Sequence, residues 1–240
     1  MKANRIGSKL HLAVAAALAA APLAAQATNG DHMLGVNANQ WAMAGAIIAA
    51  PEDAGTVLTN PAGLAGLKMQ EFRADYGFGL LNPPRQVNGV ESDSDLYLMP
   101  AGALAFRVSD RLTTGLGVAG LLGMGVDFAD IQPSAGNQTV VTTRQVMRIS
   151  PGFAFRQSDA LALGASFNIN YQSLAMHMAT PGGALTLPQN QVFGFGATFG
   201  LTYVMNERVR FGASYVTKQS MDEFDWNSTN GRYSARIDLP

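Results

Sequence analysis

The chain has 240 residues, enough for one large domain; 48% are hydrophobic, only 14% are charged, and the formal charge is -1. No basic cluster points to nucleic acid, and the absence of cysteine excludes a disulfide scaffold and thiolate metal sites. Past the N-terminus no apolar run is long enough for a transmembrane helix, so the apolar content is spread along the chain, as in a membrane β-barrel or a soluble β-sandwich.

Residues 1–27 read as a secretory signal peptide. Lys2, Arg5 and Lys9 form a positive start, Leu12 to Leu23 an Ala/Leu core, and Ala25-Gln26-Ala27 a small-residue cleavage site. The alternative, an anchor helix, needs a longer apolar core. Three of the 16 basic residues lie in this leader, which leaves 13 against 17 acids in the exported chain.

Residues 28–68 are rich in Gly, Ala and Asn. The stretch Trp41 to Ala50 is expected to form one small helix. Glu52 and Asp53 after Pro51 suit the first turn of a second, which Asn60-Pro61 would end. So irregular and polar a segment cannot face lipid. It is either a flexible arm in water or a plug inside a barrel.

From residue 69 onward the period is two. In Asp159 to Gln172, Leu161, Leu163, Ala165, Phe167, Ile169 and Tyr171 oppose Ala162, Gly164, Ser166, Asn168, Asn170 and Gln172. The same alternation marks 70–80, 144–156, 191–205 and 207–217, as well as a last stretch carrying Tyr233, Ala235, Ile237 and Leu239. With 95–108 and 111–124 this predicts eight strands, with Pro100 and Pro151 marking bends or interrupted hydrogen bonding. The polar faces hold mostly Gly, Ser, Asn, Ala and scattered Arg, which suits a crowded wet lumen better than an open solvent face. Each alternating stretch is about the ten residues that a tilted strand needs to cross a bilayer.

Tight polar turns at 108–112, 156–160 and 205–208 alternate with longer connections at about 81–94, 125–143, 175–190 and 220–230. Short periplasmic turns and long external loops produce this rhythm in outer-membrane barrels, and a sandwich has no reason for it. The expected fold class is therefore all-β, an antiparallel transmembrane β-barrel.

No catalytic motif is present, and an enzyme is not expected. His11, His32 and His177 fit no metal-ligand spacing, so no metal or cofactor is expected. Asp93, Asp95, Asp127 and Asp130 are read as solvated loop charge. The glycines Gly115, Gly117, Gly120, Gly123 and Gly125 permit bulges or close backbone approach, either for packing against a plug or for a gap in the wall. Arg73, Arg144, Arg148, Arg208 and Arg210, read as facing the lumen, could pair with acids of the plug or with Asp75, or attract an anionic headgroup.

The residues Asn29-Gly30, Gly35-x-x-x-x-Gln40, Ala44-Gly45-Ala46, Asp53-Ala54 and Asn60-Pro61-Ala62-Gly63-Leu64 together resemble the start of the FadL/TodX family. These are outer-membrane transporters of long-chain fatty acids and other hydrophobic compounds. The resemblance implies a barrel of about fourteen strands plugged by an N-terminal hatch. Ligand lands on an apolar groove among the outer loops, moves to a pocket against the hatch, and leaves sideways into the outer leaflet through a kink in the third strand. Carried onto this chain, Asn60, Pro61 and Ala62 are hatch residues, and Gly115 to Gly125 lie in the third, gate-bearing strand. Leu174, Met176 and Met178 offer apolar surface in a loop that contacts ligand.

The expected organisation is then a signal peptide (1–27), a hatch (28–68) and the first part of a barrel (69–240). Eight strands instead of fourteen, and an end at Pro240, suggest a truncated form. The expected partners are a long-chain fatty acid or another hydrophobic small molecule, outer-membrane lipid and the barrel assembly machinery; the full-length protein would be a monomer in the Gram-negative outer membrane. Two other readings stand beside it: a small structural or adhesive eight-stranded barrel without transport, and a general porin.

Overall fold

The computed structural model describes residues 32–129, 131, 138–228 and 230–239. The expected signal peptide, the pair Asn29-Gly30, Asp130 and Pro240 lie outside the described residues. In chain order the elements are helix α1 (Ala38–Ala42), helix α2 (Thr56–Thr59), a 3-10 turn (Pro61–Gly66), and strands β1 (Phe72–Leu81), β2 (Gln86–Val87), β3 (Val90–Glu91), β4 (Tyr97–Arg107), β5 (Leu112–Phe128), β6 (Thr139–Arg156), β7 (Leu161–Thr180), β8 (Gly183–Asn206), β9 (Val209–Val216), β10 (Ser220–Met221), β11 (Phe224–Ser228) and β12 (Gly231–Ala235).

The large sheet is an antiparallel meander. The order is β1-β4-β5-β6-β7-β8, after which β9 and then β10 pair successive parts of β8. Among the described residues no pairing joins β1 to β9. The alternation along each strand is the inside-out one of a membrane wall. Tyr76 is 94% exposed, and Phe78, Phe167, Phe193, Phe195, Phe199 and Tyr215 are exposed beside it. Leaving so many large apolar side chains in water would cost about 1.5–3 kcal/mol each, so this face belongs against lipid.

The opposite face is lined by small residues. Ala105, Gly115, Gly152 and Ser166 stand opposite one another across β4 to β7. Thr113, Ala154, Gly164, Gly200 and Ser214 form the next row, across β5 to β9. The segment from 32 to 67 packs against these rows. Val57, Leu58, Ala62 and Leu64 are buried there with Ala105, Ala119 and Ala154.

The sequence expectations need several corrections. The first helix is Ala38–Ala42 and not 41–50, because the chain turns back through positive φ at Ala44 and Gly45. The second starts at Thr56; Asp53 precedes it and accepts a hydrogen bond from the Gly55 nitrogen (2.8 Å). The third wall strand runs on to Phe128. The connection expected at 175–190 is not a loop: β7 and β8 continue as a hairpin that turns at Pro181-Gly182. The last alternating stretch is not a wall strand. It supplies β12, paired only with β11, and ends in an isolated bridge from Leu239 to Gln219. The sheet still reaches eight strands, through the short β10.

Candidate functional site

Asn60 ties the N-terminal segment to the sheet. It is fully buried. Its side-chain nitrogen donates to Ile48 O (2.7 Å) and to Leu201 O on β8 (3.2 Å), while its side-chain oxygen accepts from Ala62 N (3.2 Å). Pro61 and Ala62 follow as the start of the 3-10 turn, where proline's fixed φ is favourable and its missing N–H costs nothing. Ala62 lies against Gly164 of β7, and Asn60 against Gly200 of β8. These two wall glycines are therefore contact points. A Cβ on Gly117 would lie 2.6 Å from Leu58, and one on Gly152 2.9 Å from Val57. Further out, Asp75 of β1 accepts from Ala54 N (2.9 Å) and pairs with Arg73 (2.7 Å), one of the arginine pairings expected from sequence.

A cavity of about 590 Å³ lies between this segment and the wall, a size typical of small-molecule pockets. Met33, Val36, Ile48, Leu58, Leu121 and Val216 supply its apolar lining. Arg148 reaches it from β6. Arg148 is only 6% exposed, and its Nε donates to Asn170 Oδ1 (2.8 Å). Asn170 in turn donates to Gln219 Oε1 (3.0 Å). Among the described residues no carboxylate forms an ion pair with Arg148. Of the other arginines grouped with it, Arg73 has its acid, whereas Arg208 and Arg210, read as facing the lumen, are exposed near the short β8–β9 turn.

Of the five glycines singled out in the third strand, Gly115 and Gly117 contact the N-terminal segment at Leu64 and Leu58. Gly120 borders a β-bulge: Gly120 stands opposite Met147 but Leu122 opposite Val146, so Leu121 is the extra residue. It lines the cavity. The ladder between β4 and β5 also stops there, at Ala101 opposite Ala119. Above that point Pro100, which has no N–H, Met99 and Leu98 pair only with β1, and Gly123 and Gly125 pair only with β6. Beyond Ala101 and Ala119 the seam between the second and third wall strands is thus unladdered. Sequence periodicity missed Leu121; the adjacent leucines Leu121 and Leu122, which interrupt the alternation, were the available signal.

Leu174, Met176 and Met178 are in strand β7, not in a loop. They stand opposite Arg144, Thr142 and Val140 of β6, and Met176 and Met178 stand opposite Leu187 and Leu185 of β8. Met124, Val126 and Phe128 of β5 are in register with the same β6 residues, so the two apolar rows share one face of the extended strand ends, with Arg144, Thr142 and Val140 between them.

The fold resembles that of solved toluene transporters and of a FadL homologue. The toluene transporter TbuX of Ralstonia pickettii matches with a TM-score of 0.65 at 18% identity, over 77% of this chain and 58% of its own. The toluene transporter TodX of Pseudomonas putida matches with 0.62 at 18% identity, over 88% and 60%. A Pseudomonas aeruginosa FadL homologue matches with 0.57 at 17% identity, over 82% and 54%. The chain thus spans somewhat over half the length of each. No curated protein matches it in sequence. The profile of the outer membrane protein transport proteins (OMPP1/FadL/TodX) matches residues 13–235, and the chain belongs to that family.

Proposed function

We propose that the protein carries hydrophobic compounds across the outer membrane by passive diffusion, and that its cargo is an amphiphile with a carboxylate, such as a long-chain fatty acid. The observation that carries this reading is Arg148, a buried guanidinium with no acidic partner among the described residues, set in the lining of an apolar cavity. A buried charge without a counter-charge is costly, and a cargo carboxylate would relieve that cost while its tail fills the apolar lining. The segment 32–67 then acts as the hatch. It fills the inward face, which supports this reading over an open polar porin. The apolar patch of Leu174, Met176 and Met178 is the first landing surface, and the unladdered seam beside Leu121 is the sideways exit into lipid. No covalent step or fuel is needed.

The test is competition binding with a fatty acid and the alcohol of equal chain length, on the native protein and on Arg148→Met. The native protein is expected to prefer the acid by about 10- to 100-fold, the worth of one charge-assisted pair, and Arg148→Met to lose that preference while keeping the alcohol. Equal binding of acid and alcohol by the native protein would overturn the carboxylate reading. A neutral hydrocarbon would then be favoured, as for the toluene transporters TbuX and TodX.

A further inference from the structure

Where the ladder between β4 and β5 is missing, one side chain takes its place. The hydroxyl of Tyr97 lies 2.7 Å from Gly125 O and 3.3 Å from Gly125 N, so both polar backbone groups of Gly125 are engaged by β4 through a side chain. The same hydroxyl is 2.7 Å from Ser94 O. It also accepts from the Arg85 guanidinium, whose carbon stands 5.1 Å from the Tyr97 ring centroid. Beyond it, Ser92 Oγ accepts from Asp127 N (3.0 Å), and Asp93 N donates to Asp127 O (2.9 Å).

The seam is therefore bounded at one end by Ala101 and Ala119 and at the other by Tyr97 and Gly125. Met99 fills the space between. It is 1% exposed, and its sulfur would lie 3.2 Å from a Cβ on Gly123. Methionine is unbranched and changes rotamer easily, so it can leave such a gap without a backbone shift.

We propose that Tyr97 is the clasp of this seam. It is a positioning residue whose hydroxyl sets how far β4 and β5 part, and hence how bulky a compound leaves sideways. The inference rests on the lateral-exit reading above. A ladder opens only when a run of backbone bonds breaks together, whereas among the described residues the stretch from Ala119 to Gly125 is held to β4 by the Tyr97 hydroxyl alone, the Asp127 bonds lying beyond it. Gly125, which Tyr97 holds, sits four residues past Leu121, where β5 has already departed from β4.

The test uses the full protein in outer-membrane vesicles. Tyr97→Phe keeps the ring beneath Arg85 and removes only the hydroxyl. Amide exchange at Gly125 is expected to rise about fivefold, as one lost hydrogen bond implies, with exchange along 144–156 of β6 unchanged. Release of a bulky labelled fatty acid into the membrane is expected to rise by a similar factor. In parallel, Met99→Cys with Gly123→Cys allows a thiol crosslink across the seam, which is expected to block release until it is reduced. If the crosslinked protein releases cargo normally, lateral exit is wrong and the clasp has no transport role. If the crosslink blocks release but Tyr97→Phe changes neither exchange nor release, lateral exit stands and the clasp is wrong.

Discussion

Ala62 lies so close to Gly164 that a methyl group on Gly164 would collide with the Ala62 backbone nitrogen, with residues 61 and 62 offering only backbone in its path. Backbone cannot swing aside as a side-chain tip can. Gly164→Val is therefore expected to lower the unfolding midpoint in detergent by about 5–10 °C, the effect of about 2–3 kcal/mol of overpacking. Gly77→Ala on β1 is the control: nothing lies within 4 Å of the added carbon, and no shift is expected. Equal effects from the two would show that the glycines do not serve the contact with the N-terminal segment.

Asn60 ties Ile48 and Leu201 together through one amide nitrogen. Asn60→Ala leaves two carbonyls and the Ala62 nitrogen without this partner in a buried place, a loss of about 2–4 kcal/mol. Asn60→Asp is expected to be worse, because it sets a carboxylate against two carbonyl oxygens. Denaturant unfolding followed by Trp41 fluorescence reads both, since the Trp41 indole donates to Gly35 O within the same segment (3.1 Å).

Deleting Leu121 joins Gly120 directly to Leu122, whose partners Met147 and Val146 are already consecutive. Every other residue of β5 keeps its face, so the variant is expected to fold. The strand should then run straight, and its register with β4 would place Leu122 opposite Met99. Uptake of labelled fatty acid is expected to fall at least tenfold while the protein keeps its heat-modifiable migration in gels. Undiminished uptake would show that the bulge has no part in exit.

The β11–β12 hairpin carries an acid-sensitive pair. Arg232 donates from Nε to Asp225 (2.8 Å), and this hydrogen bond holds the Asp225 carboxyl below its ordinary 3.8. A depressed carboxylate stabilises the fold above its unfolded pKa, and that contribution is lost as pH falls through the lower, folded value. Arg232 is shifted upward by the same bond and stays charged throughout this range. Asp238, held down by its hydrogen bond with Lys218, is shifted in the same direction. Emission from Trp226, stacked on Phe224 at 5.0 Å, is expected to be steady above 3.8 and to change below it in a Trp41→Phe background. Asp225→Asn should reduce that change, and about 1 M salt should weaken it, because the pair is exposed.

The wall was legible because a strand's pleat is local. Phe167 and Asn168 declare opposite faces by being neighbours, whatever they pack against. The tight turns at 108–112 and 156–160 were legible for the same reason. The ends of β7 and β8 were not, because residues 183–190 mix Gly, Ala, Leu and Gln, whose partners across the hairpin decide their conformation. The stretch 232–239 alternates as well as any wall strand, yet it joins β11, since alternation states a face and not a neighbour.

The candidate site divides in the same way. By itself the sequence determined the family, through the motif at Asn60-Pro61-Ala62, and the small-residue face to which the N-terminal segment is bound. It also placed Arg148 on the inner face, as one arginine among five. Only the tertiary structure separated Arg148 from Arg73, by leaving the first beside an apolar cavity and giving the second Asp75. Likewise only it joined Asn60 to Leu201, 141 residues away, and stopped the β4–β5 ladder at Ala101. Such relations depend on which distant segments meet, and residues far apart in sequence meet only once the sheet has assembled against the segment it holds.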